Sequence, residues 1–432
     1  MQLSLEFTPG RLVMGAIVLF VAGGIGVEAG RIWLADTWAR SNAPESWERA
    51  AELEPGNAGH WFQLGKYRQW DFENADLVRA LIYFERAVRA NPTSPFHRMD
   101  LASAYEMRGE SARAREMYEQ AKHLYPISSE VAWNYGNFLL RAGEPTRAYA
   151  EIRRALETDP KLTTLAVSVC FRSGAAAEQI LNEALPVRGR AYLDALDFFL
   201  AEQSTDAALQ AWRRLVELSE PLELKRSFAL IEALLRAGRI LEARQVWEQA
   251  LAASRWQPDG RAAESLVWDG GFEQDFLNGG LAWRSATREG VQFEFDASER
   301  RSGGRALRVT LLGQSNLSLA QPEQFIAVEP RTRYRFAAFL RLEDVTTDSG
   351  LRFRVFDARN PREILAITEN LTGTQPWTLQ EAIFATGPEA RLLCVQLHRA
   401  PSAKLDNKIR GTVWVDDVSL SRMAPAEGRS KP

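Results

Sequence analysis

A multidomain α + β chain is what this 432-residue sequence predicts: an N-terminal transmembrane helix, an all-α solenoid of helix pairs and a C-terminal all-β sandwich. Three observations carry the prediction. Pro92, Pro126 and Pro160 stand 34 residues apart; Leu12 to Val27 contains no charge; and beyond Gly260 the helical period gives way to short alternating runs. The boundaries that follow are a short tail at 1–11, an anchor at 12–35, helical repeats at 41–258, a β-sandwich at 265–422 and a disordered tail at 423–432.

Sixteen uncharged residues fall short of the roughly 20 that span a bilayer. Ile32, Trp33 and Leu34 extend the apolar run, with Arg31 snorkelling, so a tilted membrane anchor is the expectation. A cleaved signal peptide is the alternative, with Val27 and Ala29 as small residues before the cut. Gly15, Gly23, Gly24, Gly26 and Gly30 argue against a buried helix of a soluble domain. Arg11 on one side and Arg31 and Arg40 on the other leave the orientation open.

Each proline closes a copy of one pattern. Leu101, Ala102, Tyr105, Ala114, Tyr118, Ala121 and Pro126 are answered by Tyr135, Gly136, Leu139, Ala148, Ile152, Ala155 and Pro160. Small residues let two antiparallel helices approach, large ones fill the gap to the next pair, and proline stops the second helix. An earlier copy reads Trp61, Leu64, Gly65, Ala80, Phe84, Ala87 and Pro92, with extra residues around Phe72 to Leu77; Trp47, Ala50 and Pro55 begin the series. Downstream, Thr163 to Pro186 is too short for a full unit, although Gly174 sits where Gly109 and Gly143 break their pairs. Two weaker copies follow, at Tyr192 to Trp212 and Leu230 to Ala250.

In this order of sizes and this period the chain resembles the tetratricopeptide repeat family. The resemblance implies a solenoid whose first helices line a concave groove for a protein partner. Counted from the motif, the groove residues are Gln63, Lys66, Gln69 and Trp70; Met99, Ser103 and Glu106; and Trp133, Asn134, Asn137 and Arg141. Lys66, Asn137 and Arg141 are similar to a clamp that holds a terminal carboxylate in some members, and the match is incomplete.

After residue 264 the sequence obeys strand patterning. Tyr334, Phe336, Ala338 and Leu340 alternate with Arg333, Arg335 and Arg341; Leu351 to Phe356, Arg391 to Leu397 and Gly411 to Val415 repeat the habit, as a sandwich of two sheets requires. Particular markers occur in order: Asp269-Gly270-Gly271-Phe272-Glu273, Trp283, Ala306 to Val309, Trp377, and a closing Trp414-Val415-Asp416-Asp417-Val418. This order resembles the jelly-roll carbohydrate-binding modules attached to secreted glycosidases. The resemblance implies export of both domains and a structural Ca2+ held by Glu273 and Asp417, with the loop Asp296 to Arg305 completing the site. Arg300, Arg301 and Arg305 offer the same carboxylates a salt-bridge clasp instead. Trp283, Trp377 and Trp414 read as core or loop anchors rather than a sugar platform. Arg333, Arg335, Arg341, Arg352 and Arg354 are outward faces that water or an acidic polymer would meet.

Net charge is −3, which advertises no nucleic-acid surface. Cys170 and Cys394 lie one in each domain and read as buried hydrophobes; His60, His97, His123 and His398 show no ligand spacing. Phosphate-loop, nucleophile-elbow and zinc motifs are missing, and Asp416 and Asp417, adjacent on a strand, should point to opposite faces. The expectation is a non-catalytic adaptor of the bacterial inner membrane, single-pass with both domains in the periplasm, the groove holding a protein and the jelly roll a glycan in polysaccharide assembly or export. The alternatives are secretion after signal cleavage and a structural scaffold whose sandwich binds no sugar. A polysaccharide-active enzyme is the least supported.

Overall fold

The structure, a computed structural model, describes residues 9–41, 43–254 and 265–424. The expected tails, in large part, and the boundary markers Pro258 and Gly260 lie outside the described residues. The chain divides into two compact units, Met1–Phe198 and Phe199–Pro432.

The first unit is helical. Helix α1 runs Pro9–Ala39 without a break, longer than the expected anchor, with Leu12, Phe20 and Val27 exposed and Ala35 buried. Pairs follow: α2 (Pro44–Leu53), α3 (Ala58–Trp70) with α4 (Leu77–Ala90), α5 (Pro95–Met107) with α6 (Ser111–Leu124), and α7 (Ser129–Arg141) with α8 (Pro145–Thr158). Starts are fixed by capping: the hydroxyls of Ser94 and Ser128, themselves 34 apart, accept from His97 N–H and Val131 N–H and satisfy donors the first turn leaves open. Within pairs, Gly109 and Gly143 take positive φ at the reversal, a conformation any Cβ would strain.

The small residues act where helices meet. A Cβ on Gly65 would stand 2.6 Å from the Phe84 ring, and one on Gly136 2.9 Å from Ile152. Ala121 and Ala155 have no exposed surface. Between α3 and α4 the inserted residues form a loop held by Asp71, whose carboxylate accepts from the N–H groups of Glu73 and Asn74. The short stretch after Pro160 contains α9 (Thr163–Arg172), Gly174 at positive φ, the single turn α10 (Ala177–Gln179) and a π-helical turn Ile180–Ala184. Its second helix is thus cut to about two turns, as the missing residues demand. Helix α11 (Gly189–Ala201) contains the division between units.

Among its described residues the second unit joins α12 (Thr205–Glu217), α13 (Phe228–Arg236) and α14 (Ile240–Ala253) to nine strands: β1 (Val291–Asp296), β2 (Ala306–Leu312), β3 (Leu319–Ala327), β4 (Arg333–Val345), β5 (Arg352–Asp357), β6 (Asn360–Ile367), β7 (Gly373–Ala385), β8 (Leu392–Arg399) and β9 (Arg410–Arg422). They form two antiparallel sheets, ordered β1-β2-β9-β4-β7 and β3-β8-β5-β6. Tyr334, Phe336, Ala338 and Leu340 point inward as the alternation predicts, and Phe336 meets Phe353 of the other sheet at 5.1 Å between ring centroids.

The compact division falls at Phe199 and not at the expected linker, for an apolar reason. Ile240 of α14 and Leu235 of α13 pack with Ala327, Phe325 and Leu392 on the outer face of the four-stranded sheet. Trp247 meets Trp268 edge-on, and Gly279 and Gly280 lie so close to Phe228 that an added Cβ would clash. The last helices therefore share a core with the sandwich.

Candidate functional site

In the helical unit, the 34-residue period sets equivalent side chains of successive first helices side by side. Lys66 Nζ donates to Asp100 at 2.5 Å, Gln69 Nε2 donates to Ser103 Oγ at 3.3 Å, and Arg141 grips Glu106 through Nε and Nη2 at 2.6 and 3.0 Å. Burial pushes the Asp100 carboxyl up despite Lys66 beside it. Several residues expected to be free for a partner thus bridge neighbouring repeats. Lys66 and Arg141 are neutralised by carboxylates, so they do not present the cations a terminal-carboxylate clamp needs; Met99, counted with the groove, is buried. Asn134 and Asn137 turn an amide back to carbonyls of their own helix, those of Glu130 and Trp133. Gln63 and Trp133 are half-buried, and Trp70 stands 63% exposed. Sequence reading missed the bridging because Asp100, the partner of Lys66, was not among the groove positions; its signal is the shared interval of 34.

In the sandwich, the opening and closing markers meet. Val418 N–H donates to Gly270 C=O at 2.8 Å, and Trp283 Nε1 donates to Asp269 C=O at 3.1 Å. Both are fixed by loop 301–305. Glu273 accepts from Gly304 N–H at 2.8 Å; Asp417 accepts from Ser302 Oγ at 2.5 Å and pairs with the Arg301 guanidinium, which lies over the Phe339 ring at 3.4 Å. Arg305 turns away to Phe272 C=O and Asp275, and Arg300 bonds to carbonyls of its own loop. Asp416, with no exposed surface, accepts from the N–H groups of Arg301, Ser302 and Asp417.

The expectation that Asp416 and Asp417 face apart is corrected. Asp417 has φ +50°, and the β4–β9 register slips between Ala337 and Phe339; this bulge breaks the two-residue alternation and turns both carboxylates to one loop. A cavity of about 680 Å³ opens beside them, lined by Glu273, Arg301, Asp417, Arg335, Phe339 and Leu379 among others. A calcium ion requires six to eight oxygens. Here Arg301 already supplies a cation to Asp417, the loop offers N–H and O–H donors, and the described residues contain no group of three metal-binding side chains. As arranged, these residues do not fit calcium.

The other candidates separate by charge. Trp283 is buried; Trp414 Nε1 bonds Asp296 at 2.9 Å, and Ser298 together with Trp414 holds that carboxyl well below the usual range; Trp377 Nε1 bonds Glu299 at 3.2 Å. On the five-stranded sheet Arg335 is bidentate on Glu381 and Arg341 pairs with Glu299, while Arg333 is exposed. On the four-stranded sheet Arg352 and Arg354 share the outer face with Gln396 and His398, a grouping the alternation of β8 announces and sequence reading missed. Cys170 and Cys394 are buried, and burial pushes both thiols up, Cys170 to about 12.

Residues 99–162 match the tetratricopeptide repeat family model. That stretch carries tetratricopeptide repeats, and the second unit carries a β-sandwich. Among solved structures the chain is similar to YrrB, titled a TPR protein with an unusual peptide-binding site, at 15% identity over 51% of this chain and 96% of that one (TM-score 0.27). MamA aligns at 16% identity over 40% and 85% (TM-score 0.27). A Clostridium thermocellum xylanase 10B fragment, CBM22-1 with GH10 modules complexed with xylohexaose, aligns at 17% identity over 37% of this chain and 29% of that one (TM-score 0.26). No curated protein sequence matches the chain.

Proposed function

We propose that the chain is a non-catalytic, membrane-anchored adaptor of the bacterial envelope, with its repeats holding a protein partner and its sandwich a glycan in polysaccharide assembly or export. The observation that carries the protein-binding half is the row on successive first helices. Its charged members brace one another, while Trp70 is exposed and Asn134 and Asn137 bond only within their own helix among the described residues. A braced surface loses little entropy on binding, which favours recognition by the unbraced side chains. A photo-crosslinker at Gln63 should capture one specific protein in intact cells, and adding Trp70→Ala with Asn137→Ala should abolish that capture without lowering Tm. Equal capture from a position on α4 or α6 would defeat the groove assignment.

The glycan half rests on the ordered markers that open and close the sandwich. A scaffold without sugar is the second reading, favoured by one observation: α13 and α14 pack on the sandwich through Leu235, Ile240, Ala327 and Leu392, as a cap would. A glycan array probed with the full chain separates them, binding supporting the first and silence the second. The anchor rests on α1, whose apolar stretch Leu12–Ala39 is long enough to cross a membrane, a property signal sequences share.

A further inference from the structure

The outer face of the four-stranded sheet holds two arginines, Arg352 and Arg354, that pair with no carboxylate among the described residues. In the antiparallel register Arg352 lies beside His398 and Arg354 beside Gln396, two steps along the same face, about 7 Å apart. Each guanidinium is held by a neutral amide: Arg354 Nη2 donates to Gln396 Oε1 at 2.7 Å, Arg352 Nη2 to Asn370 Oδ1 at 3.2 Å. The buried atoms Arg354 Nε, Arg352 Nε and His398 Nδ1 have no hydrogen-bond partner among the described residues, so a ligand would meet the outer guanidinium nitrogens. The one carboxylate beside them on β3, Glu323, is directed to Gln396 Nε2 at 2.8 Å and to Cys394.

The contrast with the other sheet decides the meaning. There, Arg335 and Arg341 are satisfied by Glu381 and Glu299 and form a solvated face. Here the amides fix the guanidiniums in place while leaving the positive charge whole, and a fixed guanidinium is suited to carboxylate recognition. Ile364 and Ile367 of the neighbouring β6 are about half exposed on the same face, a flat apolar border against which a sugar ring can lie. At the far end α13 covers the sheet, with Arg284 over Phe325 and paired to Glu232, so the open part of the face is a strip and not the whole sheet.

We propose that this strip is a binding site for a carboxylate-bearing polysaccharide, a uronate chain whose carboxylates meet Arg352 and Arg354 and whose hydroxyls meet Gln396 and His398. The proposal rests on the glycan reading of the sandwich and specifies its ligand class. Two carboxylates on alternate or successive sugars bridge two fixed cations without disturbing the amides that hold them.

The test is calorimetric titration of the full chain in detergent with oligogalacturonate, with a neutral xylo-oligosaccharide of the same length, and with polyglutamate. Expected are binding of oligogalacturonate that weakens as salt is raised, a loss of about tenfold or more in the double variant Arg352→Gln with Arg354→Gln, and no change in Arg335→Gln. Arg352→Lys with Arg354→Lys, which keeps the charge, should retain salt-sensitive binding and guards against a folding defect. Neutral and acidic chains binding alike, indifferent to both arginines, would overturn the uronate site and leave the glycan reading standing. Polyglutamate binding as well as the uronate, or no binding by either sugar, would overturn both.

Discussion

Asp416 accepts three backbone N–H bonds and yet burial, the larger effect, raises its pKa from 3.8 to about 6. A folded pKa above the unfolded one means stability that is fully present below pH 3.8 and lost as pH rises through 6. Between those limits the loss from this one group is on the order of 3 kcal/mol. Asp269, also raised to about 6 by burial, acts in the same direction, whereas Asp296, held low by Ser298 and Trp414, contributes stability above pH 3.8 that is lost as pH falls. Comparing wild type with Asp416→Asn cancels the latter two. The variant loses about 1–3 kcal/mol by setting an amide N–H against backbone donors, and its deficit should shrink as pH rises from 3.5 to 7 in urea titrations. A deficit constant with pH would show that Asp416 does not titrate in that window. Gly270 is the companion case, because a Cβ there would lie 1.8 Å from Val418 O, while at Gly271 the nearest atom is 3.8 Å away. Gly270→Ala should lower Tm, at a cost of about 1–3 kcal/mol or more, and Gly271→Ala should be far milder. The jelly-roll resemblance paired Glu273 with Asp417 as ligands of one ion, and both carboxylates accept from the loop that contains Ser302 and Gly304. Asp416 was not legible, because strict alternation hides a bulge whose left-handed residue is an aspartate rather than a glycine.

Helix pairs were the most legible elements, since one size pattern recurs at 34 residues and each small residue has a steric reason. Ala121 and Ala155 are fully buried, so Trp at either should overpack the contact by about 1–3 kcal/mol or more and lower the melting temperature; melting like wild type would refute the register. The strand β4 was equally plain, because one face is buried and period two follows. What stayed illegible was the association of α13 and α14 with the sandwich: Leu235 and Ile240 look like any repeat residue facing the next repeat. Their partners Phe325, Ala327 and Leu392 lie on a sheet face that alternation assigns to solvent. A fragment beginning at Thr205 and ending at Ala424 should therefore be soluble and fold cooperatively, while one beginning at Ser265 exposes that apolar patch and Trp268. Stronger dye binding and a lower Tm for the shorter fragment are the expected result, and equal stability would remove the shared core.

At the scale of the molecule the groove prediction was coarser than the fold beneath it, since the polar letters that suggested a ligand surface serve largely as rungs between repeats. The same substitution of internal partner for external ligand recurs at Asp417, where Arg301 supplies the positive charge that the family resemblance assigns to calcium. A chelator should accordingly leave the melting temperature of the full chain unmoved, while Arg301→Ala should lower it; a fall on chelation that calcium reverses would restore the metal.

The proposed membrane attachment depends on α1, and the uninterrupted helix changes the arithmetic of the sequence. Sixteen uncharged residues are too few, but the 28 residues Leu12–Ala39 span about 42 Å at 1.5 Å per residue, more than a hydrocarbon core of about 30 Å. Of the three charges within it, Glu28 and Arg31 sit three apart and form an ion pair, which lowers the cost of carrying either into the interface, and Asp36, near the end of the stretch, pairs with Arg40. The full chain should stay with membranes through alkaline carbonate washing, and a chain starting at Ser41 should be released. A reporter fused after Pro432 should read as exported, and the mature protein should still contain Leu12–Val27. Recovery of a mature chain that begins near Gly30 would identify the helix as a signal sequence, and retention of the chain starting at Ser41 would place the membrane contact elsewhere.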